Sequence, residues 1–92
     1  MSKALSSGAF TRTRRDRVLL TERAHIAAIL STTDTPSACA LHRCAAVATS
    51  ADDFTALRVL SLHAASNDGC VRAPHLQLKL VHLYRELSPG VA

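Results

Sequence analysis

Six of the chain's eight cysteine and histidine residues are candidate ligands for a metal ion. Thiolates and imidazoles are the usual zinc ligands, and a structural zinc site takes four of them in two closely spaced pairs. Cys39 and Cys44 have four residues between them, and no second pair follows. Residues five positions apart lie on different sides of a helix, so these two thiols are not expected to share an ion. We predict core or surface roles, and no metal site, for the whole set: Cys39, His42, Cys44, Cys70, His75 and His82.

Residue types that are common in active sites are present, but their spacing matches no catalytic motif. There is no Gly-x-Ser-x-Gly motif, and three glycines are too few for a glycine-rich phosphate loop. Asp52 and Asp53 are adjacent acids, but they follow Ser50, where the capping of a helix accounts for them. The sequence therefore predicts a protein that is not an enzyme and has no cofactor and no small-molecule substrate.

Positive charge is concentrated at the N-terminus. Residues 1–17 contain five basic residues and one acid, whereas residues 18–92 contain six of each, which together give the net charge of +4. A stretch rich in Arg, Ser, Thr and Ala, with no acid before Asp16, is typical of a mitochondrial targeting segment. Two alternative interpretations are a segment that contacts a phosphate backbone and a solvated terminus. The basic residues of this arm are Lys3, Arg12, Arg14, Arg15 and Arg17.

Cysteine number and hydropathy limit the cellular address. Three cysteines cannot all pair, and no apolar core of a secretory signal follows the early lysine. Free thiols in a reducing compartment are therefore expected. No apolar run approaches the roughly 20 residues of a transmembrane helix, so we predict no transmembrane segment.

Four segments with helical periodicity, separated by turn residues, predict an all-α fold. Thr13, Thr35 and Ser50 are suited to cap the first three helices, and Pro36 and Pro74 to begin the second and fourth. Ser66-Asn67-Asp68-Gly69 has the residue types that tolerate a left-handed turn at the end of the third helix. We predict a basic arm over residues 1–13 and a small domain over 14–92, with helices near residues 14–30, 36–48, 51–65 and 74–87.

The fourth helix carries a leucine stripe whose members recur every three or four residues. Only 25 large apolar side chains are available for the core of the whole chain, so we expect partner subunits to supply part of the buried surface. The stripe is the predicted partner-docking face, together with the small residues of the second helix. Its members are Leu76, Leu80, Leu83 and Leu87.

Two resemblances bear on function. The predicted first and third helices start about 37 residues apart, and the second and fourth start about 38 residues apart. This repeated spacing indicates two consecutive helical hairpins. The second hairpin, residues 53–88, resembles one unit of the helical-repeat RNA-binding proteins of organelles, which implies stacked hairpins and RNA as a partner. Leu83-Tyr84-Arg85 also resembles the tripeptide of the LYR family of small mitochondrial helical proteins. In that family the motif opens the first helix, so its function is not carried over here.

These features together predict a non-enzymatic helical accessory subunit of a large mitochondrial assembly. The ribosome is favoured over a respiratory or ATP-synthase complex, because a basic arm on a neutral helical body suits a surface of mixed RNA and protein. The predicted partners are protein subunits, with structural RNA contacted through the arm. The alternative is a free-standing helical module, binding nucleic acid or acting as an adaptor, in the cytosol or nucleus.

Overall fold

Residues 13–87 fold into four helices joined by short turns. A computed structural model describes residues 13–87, and those residues contain no strand. The helices are α1 (Arg14–Ile29), α2 (Pro36–Val47), α3 (Ala51–Ser66) and α4 (Pro74–Leu87). The all-α prediction is confirmed, and each predicted helix is present. Residues 1–12, most of the predicted basic arm, lie outside the described residues.

Local capping chemistry explains where the first three helices begin. Thr13 and Asp16 form a reciprocal capping box, in which each side chain accepts a hydrogen bond from the other's backbone N–H, at 3.1 and 3.3 Å. The Thr35 hydroxyl accepts from the Ala38 N–H at 3.3 Å, ahead of Pro36. The Ser50 hydroxyl accepts from the Asp53 N–H at 3.1 Å. These hydroxyls satisfy backbone N–H groups that have no partner inside the helix.

The start of α4 is held by a residue of α3 instead of a local cap. His63 Nε2 accepts hydrogen bonds from the backbone N–H groups of Arg72 at 3.1 Å and Ala73 at 3.3 Å. Nε2 accepts these bonds through its lone pair. The imidazole thus ties the end of α3 to the turn that enters α4.

One core runs through all four helices. Fourteen apolar residues are buried in it, and α2 contacts each of the other helices. Helices two positions apart, α1 with α3 and α2 with α4, share more contacts than α1 with α2 or α3 with α4. The largest fully buried apolar side chains are Phe54, Ile26, Leu30, Leu41, Leu57 and Leu60.

Helix α1 is attached mainly through one edge. Within the helix only Ile26 is buried. The Arg23 guanidinium donates to the Ala45 carbonyl from Nε and to the Ala48 carbonyl from Nη2, both at 3.0 Å. It thereby caps the C-terminal end of α2, where the helix dipole favours a cation. Glu22 Oε2 accepts from Arg58 Nη1 of α3 at 2.5 Å, the one salt bridge among residues 13–87.

The turn after α3 is packed against the turn after α1. Asp68 and Gly69 have φ values of 58° and 84°, the left-handed turn predicted from the sequence. The Thr35 hydroxyl donates to the Gly69 carbonyl while accepting from α2. A Cβ atom placed on Gly69 would lie 2.8 Å from Thr35 Cγ2 and 3.3 Å from Thr33 Cβ. The two turns therefore meet at a contact in which only a glycine fits.

Candidate functional site

Three residues of the predicted basic arm lie in the first turn of a helix. Arg14, Arg15 and Arg17 are all exposed at the start of α1. Lys3 and Arg12 lie outside the described residues. The N-terminal end of a helix carries partial positive charge, so cations there are unfavourable, and Asp16 is the sole acid of that turn. The three arginines interact unfavourably with the partial positive charge of this helix end. A bound anion would offset that interaction.

An apolar groove opens beside these arginines. It has a volume of about 320 Å³ and lies between the start of α1 and the α2–α3 turn. Val18, Leu19 and Phe54 line it, with Arg14 and Arg15 at its edge. The cationic end of α1 is therefore joined to an apolar surface.

The leucine stripe of α4 packs inside this chain. Leu80 and Leu83 are 8% and 7% exposed, and Leu76 and Leu87 are partly buried against the same core. The small-residue face of α2 is buried as well. These faces were predicted to dock onto partners, and the structure instead places them against α2, α3 and each other. The leucines of the stripe therefore contribute to this chain's own core.

The surface that α4 leaves open lies on its other side. Leu78 is 75% exposed and Val81 is 49% exposed. Val81 also lines an open groove between α2 and α4, with a volume of about 310 Å³, which we call the α2–α4 groove. It is lined by Pro36, Ser37, Ala40, Leu80, Val81, Tyr84 and Arg85.

Two cations border the α2–α4 groove. Arg85 lines it directly. Arg43 Nη1 donates a hydrogen bond to the Tyr84 hydroxyl at 3.1 Å, and this bond raises the pKa of Arg43 further above its already high value. Tyr84 and Arg85 belong to the tripeptide noted in the sequence, and both contribute to the groove.

The cysteines and histidines are dispersed. Cys39 is exposed, Cys44 is buried and Cys70 is half-buried, while His42, His75 and His82 are exposed on α2 and α4. Within residues 13–87, no three metal-binding side chains come together. Burial raises the pKa of the Cys44 thiol to about 11, so this thiol stays protonated near neutral pH and is a poor ligand and nucleophile. Cys44 acts as a small apolar residue of the core.

Neither a membrane segment nor a relative emerges from the wider comparison. In the part of the chain that the structure describes, no helix is long and apolar enough to span a membrane. No protein-family model, curated protein or solved structure matches the chain. The case for function therefore depends on the surfaces described above.

Proposed function

We propose that this chain is a non-enzymatic helical accessory subunit of a large mitochondrial assembly, with the ribosome ahead of a respiratory or ATP-synthase complex. The observation that supports it is the exposed cluster of Arg14, Arg15 and Arg17 at the start of α1. These residues continue the positive charge of Lys3 and Arg12 onto a body in which acids and bases balance. The composition before Asp16 suits mitochondrial import as well.

The proposed action of the cationic end is to neutralise phosphates of structural RNA. Guanidinium groups bind phosphate oxygens with paired hydrogen bonds, and the N–H groups of a helix start favour anions. No glycine-rich loop or aromatic platform is needed for such contacts, because they carry no base recognition. The arm and the first turn of α1 would then hold the subunit on an RNA surface.

The neutral body would serve as a protein-docking unit. We propose that its helices act as two stacked hairpins, α1 with α2 and α3 with α4. The contacts of α1 with α3 and of α2 with α4 support the stacking of the two pairs, while α2 packs most extensively on α3 and α3 makes few contacts with α4. Leu78 and Val81, which are exposed on α4, are available for contact with a neighbouring subunit.

RNA affinity is expected to fall steeply with salt, because each neutralised phosphate releases condensed counterions. Four contacts, from Arg12, Arg14, Arg15 and Arg17, give a log–log slope of about −3 for single strands. The measurement is RNA binding by the full chain across a salt series. Replacing these four arginines with glutamine should lower the affinity and flatten the slope toward zero.

A matched control separates this contact from a general effect of charge. Arg72→Gln with Lys79→Gln removes cations that are exposed elsewhere on the body and should leave most of the slope in place. If the four-glutamine variant has the slope of the unchanged chain, the arm does not contact RNA. A protein-only assembly, of the respiratory type, is then the better proposal.

The address is tested separately by the location of the full chain tagged at its C-terminus. We expect it in mitochondria, where it should co-purify with the subunits of one large complex. Replacing Lys3 and the four arginines with glutamine should shift it to the cytosol, since import signals depend on their basic residues. A diffuse or nuclear signal for the unchanged chain would favour the alternative, a free-standing nucleic-acid-binding or adaptor module.

A further inference from the structure

We infer that the α2–α4 groove binds an acidic amphipathic helix of a partner protein. In this complex, apolar side chains enter the groove and carboxylates pair with Arg85 and Arg43. The inference rests on the proposed function in one respect, namely that the chain has a protein partner. It adds where that partner binds and what chemistry the bound segment has.

The first argument is the shape and lining of the groove. Pro36, Ala40 and Val81 give it apolar walls, and Leu80 reaches its floor from the core. A helix lies on each side of the groove along its length. A third helix can pack between two helices arranged in this way. Its volume of about 310 Å³ is at the lower limit for a small-molecule pocket, and it is open, so a segment of protein suits it better than an enclosed ligand.

The apolar surface continues out of the groove. Val81 belongs both to the groove and to the exposed side of α4, and Leu78, one turn earlier, extends the same side at 75% exposure. Val47, which is 48% exposed, lies one turn beyond Arg43 on α2. A helix bound in the groove would therefore cover exposed apolar side chains on both α4 and α2. Apolar residues that are exposed singly would not provide such an extended contact surface.

The positive charge beside the groove indicates an acidic partner. Arg85 and Arg43 border the groove, and neither has a carboxylate within salt-bridge distance among the described residues. The Tyr84 hydroxyl holds the Arg43 guanidinium beside the groove, so part of its side-chain freedom is already restricted. Two guanidinium groups that have no carboxylate partner in residues 13–87, next to an apolar groove, favour a partner with carboxylates beside its apolar face.

The same charges argue against a second copy of this chain as the occupant. In a two-fold symmetric contact the same surface meets itself, so Arg43 and Arg85 would face their own copies. Like charges in such an interface oppose it.

The test uses the full chain and three synthetic peptides of about 18 residues, which is long enough to populate a helix. The first peptide has leucines on one face and glutamates beside them. In the second, lysines replace the glutamates, and in the third, glutamines replace the leucines. We expect the first to bind most tightly, with NMR shift changes centred on Ala40, Val81 and Tyr84.

Charge reversal gives the decisive comparison. Arg43→Glu with Arg85→Glu should weaken the glutamate peptide at least about tenfold and strengthen the lysine peptide. Arg72→Glu with Lys79→Glu changes the net charge by the same amount, at residues that lie away from the groove. This control should change the affinity for either peptide much less. Arg85→Glu alone serves if the double variant loses helicity, because no hydrogen bond of that side chain is seen in residues 13–87.

Several results would overturn the inference. These are binding of none of the peptides, equal binding of the glutamate and lysine peptides, and shift changes outside the groove. Concentration-dependent dimerisation centred on the groove would replace the partner helix with a second copy. Because the peptides are tested on the isolated chain, failure here leaves the RNA and localisation results unaffected.

Discussion

Replacing Leu80 and Leu83 together with aspartate should unfold the chain. Both side chains are nearly inaccessible, at 8% and 7% exposure, and pack in the one core that joins the four helices. An unpaired carboxylate buried there loses its hydration without a compensating partner, at several kcal/mol for each group. Domains of this size have about 5–15 kcal/mol in total, so two such losses are decisive. Far-UV circular dichroism with urea denaturation measures the result.

The control places the same two charges on the same helix. Leu78→Asp with Val81→Asp adds equal negative charge at side chains that are 75% and 49% exposed. Surface substitutions of this kind change the free energy of unfolding by about 0.5 kcal/mol each, so the helix content should persist. Equal damage from both pairs would mean that charge on α4, and not burial of the leucines, determines the outcome.

Gly69→Ala should lower the free energy of unfolding by about 2–5 kcal/mol, from two additive causes. Gly69 has a φ of 84°, and a residue with a Cβ atom costs about 1–2 kcal/mol in the left-handed region. The new methyl group would also lie 2.8 Å from Thr35 Cγ2, and such overpacking costs about 1–3 kcal/mol. Urea denaturation monitored by circular dichroism measures the loss.

A second substitution separates the two causes. Thr35→Ser removes Cγ2 but keeps the hydroxyl that caps α2 and donates to the Gly69 carbonyl. In the Thr35→Ser background, Gly69→Ala should therefore cost about 1 kcal/mol less than in the unchanged chain, while the backbone strain remains. If Gly69→Ala is harmless in both backgrounds, the contact between the two turns is not as close as described.

Helix limits were predictable because the signals that set them are local. Thr13, Thr35 and Ser50 each cap the residue three positions ahead, and such spacing is visible in any sequence. The contact between His63 and the start of α4 spans nine or ten residues and has no comparable signature. The Arg23 bonds to α2 span more than twenty residues and depend on how α1 lies across the bundle.

The leucine stripe shows a different limit of sequence reasoning. Periodicity indicates that Leu76, Leu80, Leu83 and Leu87 are covered, but it does not say by what, and the chain's own helices cover them. Ser61 is a similar case, because it lies fully buried in the apolar line of α3 with no hydrogen-bond partner among the described residues. The α2–α4 groove was not foreseen, since its concave shape arises from the crossing of two helices that are distant in sequence.

The slender attachment of α1 divides the molecule into parts of unequal stability. Ile26 is the one buried side chain within α1, whereas α2 and α3 each contribute four buried apolar side chains, so α1 loses less buried apolar surface when it separates. Segments with few buried contacts open at lower free energy than the whole domain unfolds. We therefore expect the amide protons of α1 to exchange with solvent through partial opening, ahead of those of α2 and α3. A ligand that holds Arg14, Arg15 and Arg17 in the folded state would suppress that opening, so the helix carrying the positive charge is also the one that binding would stabilise most.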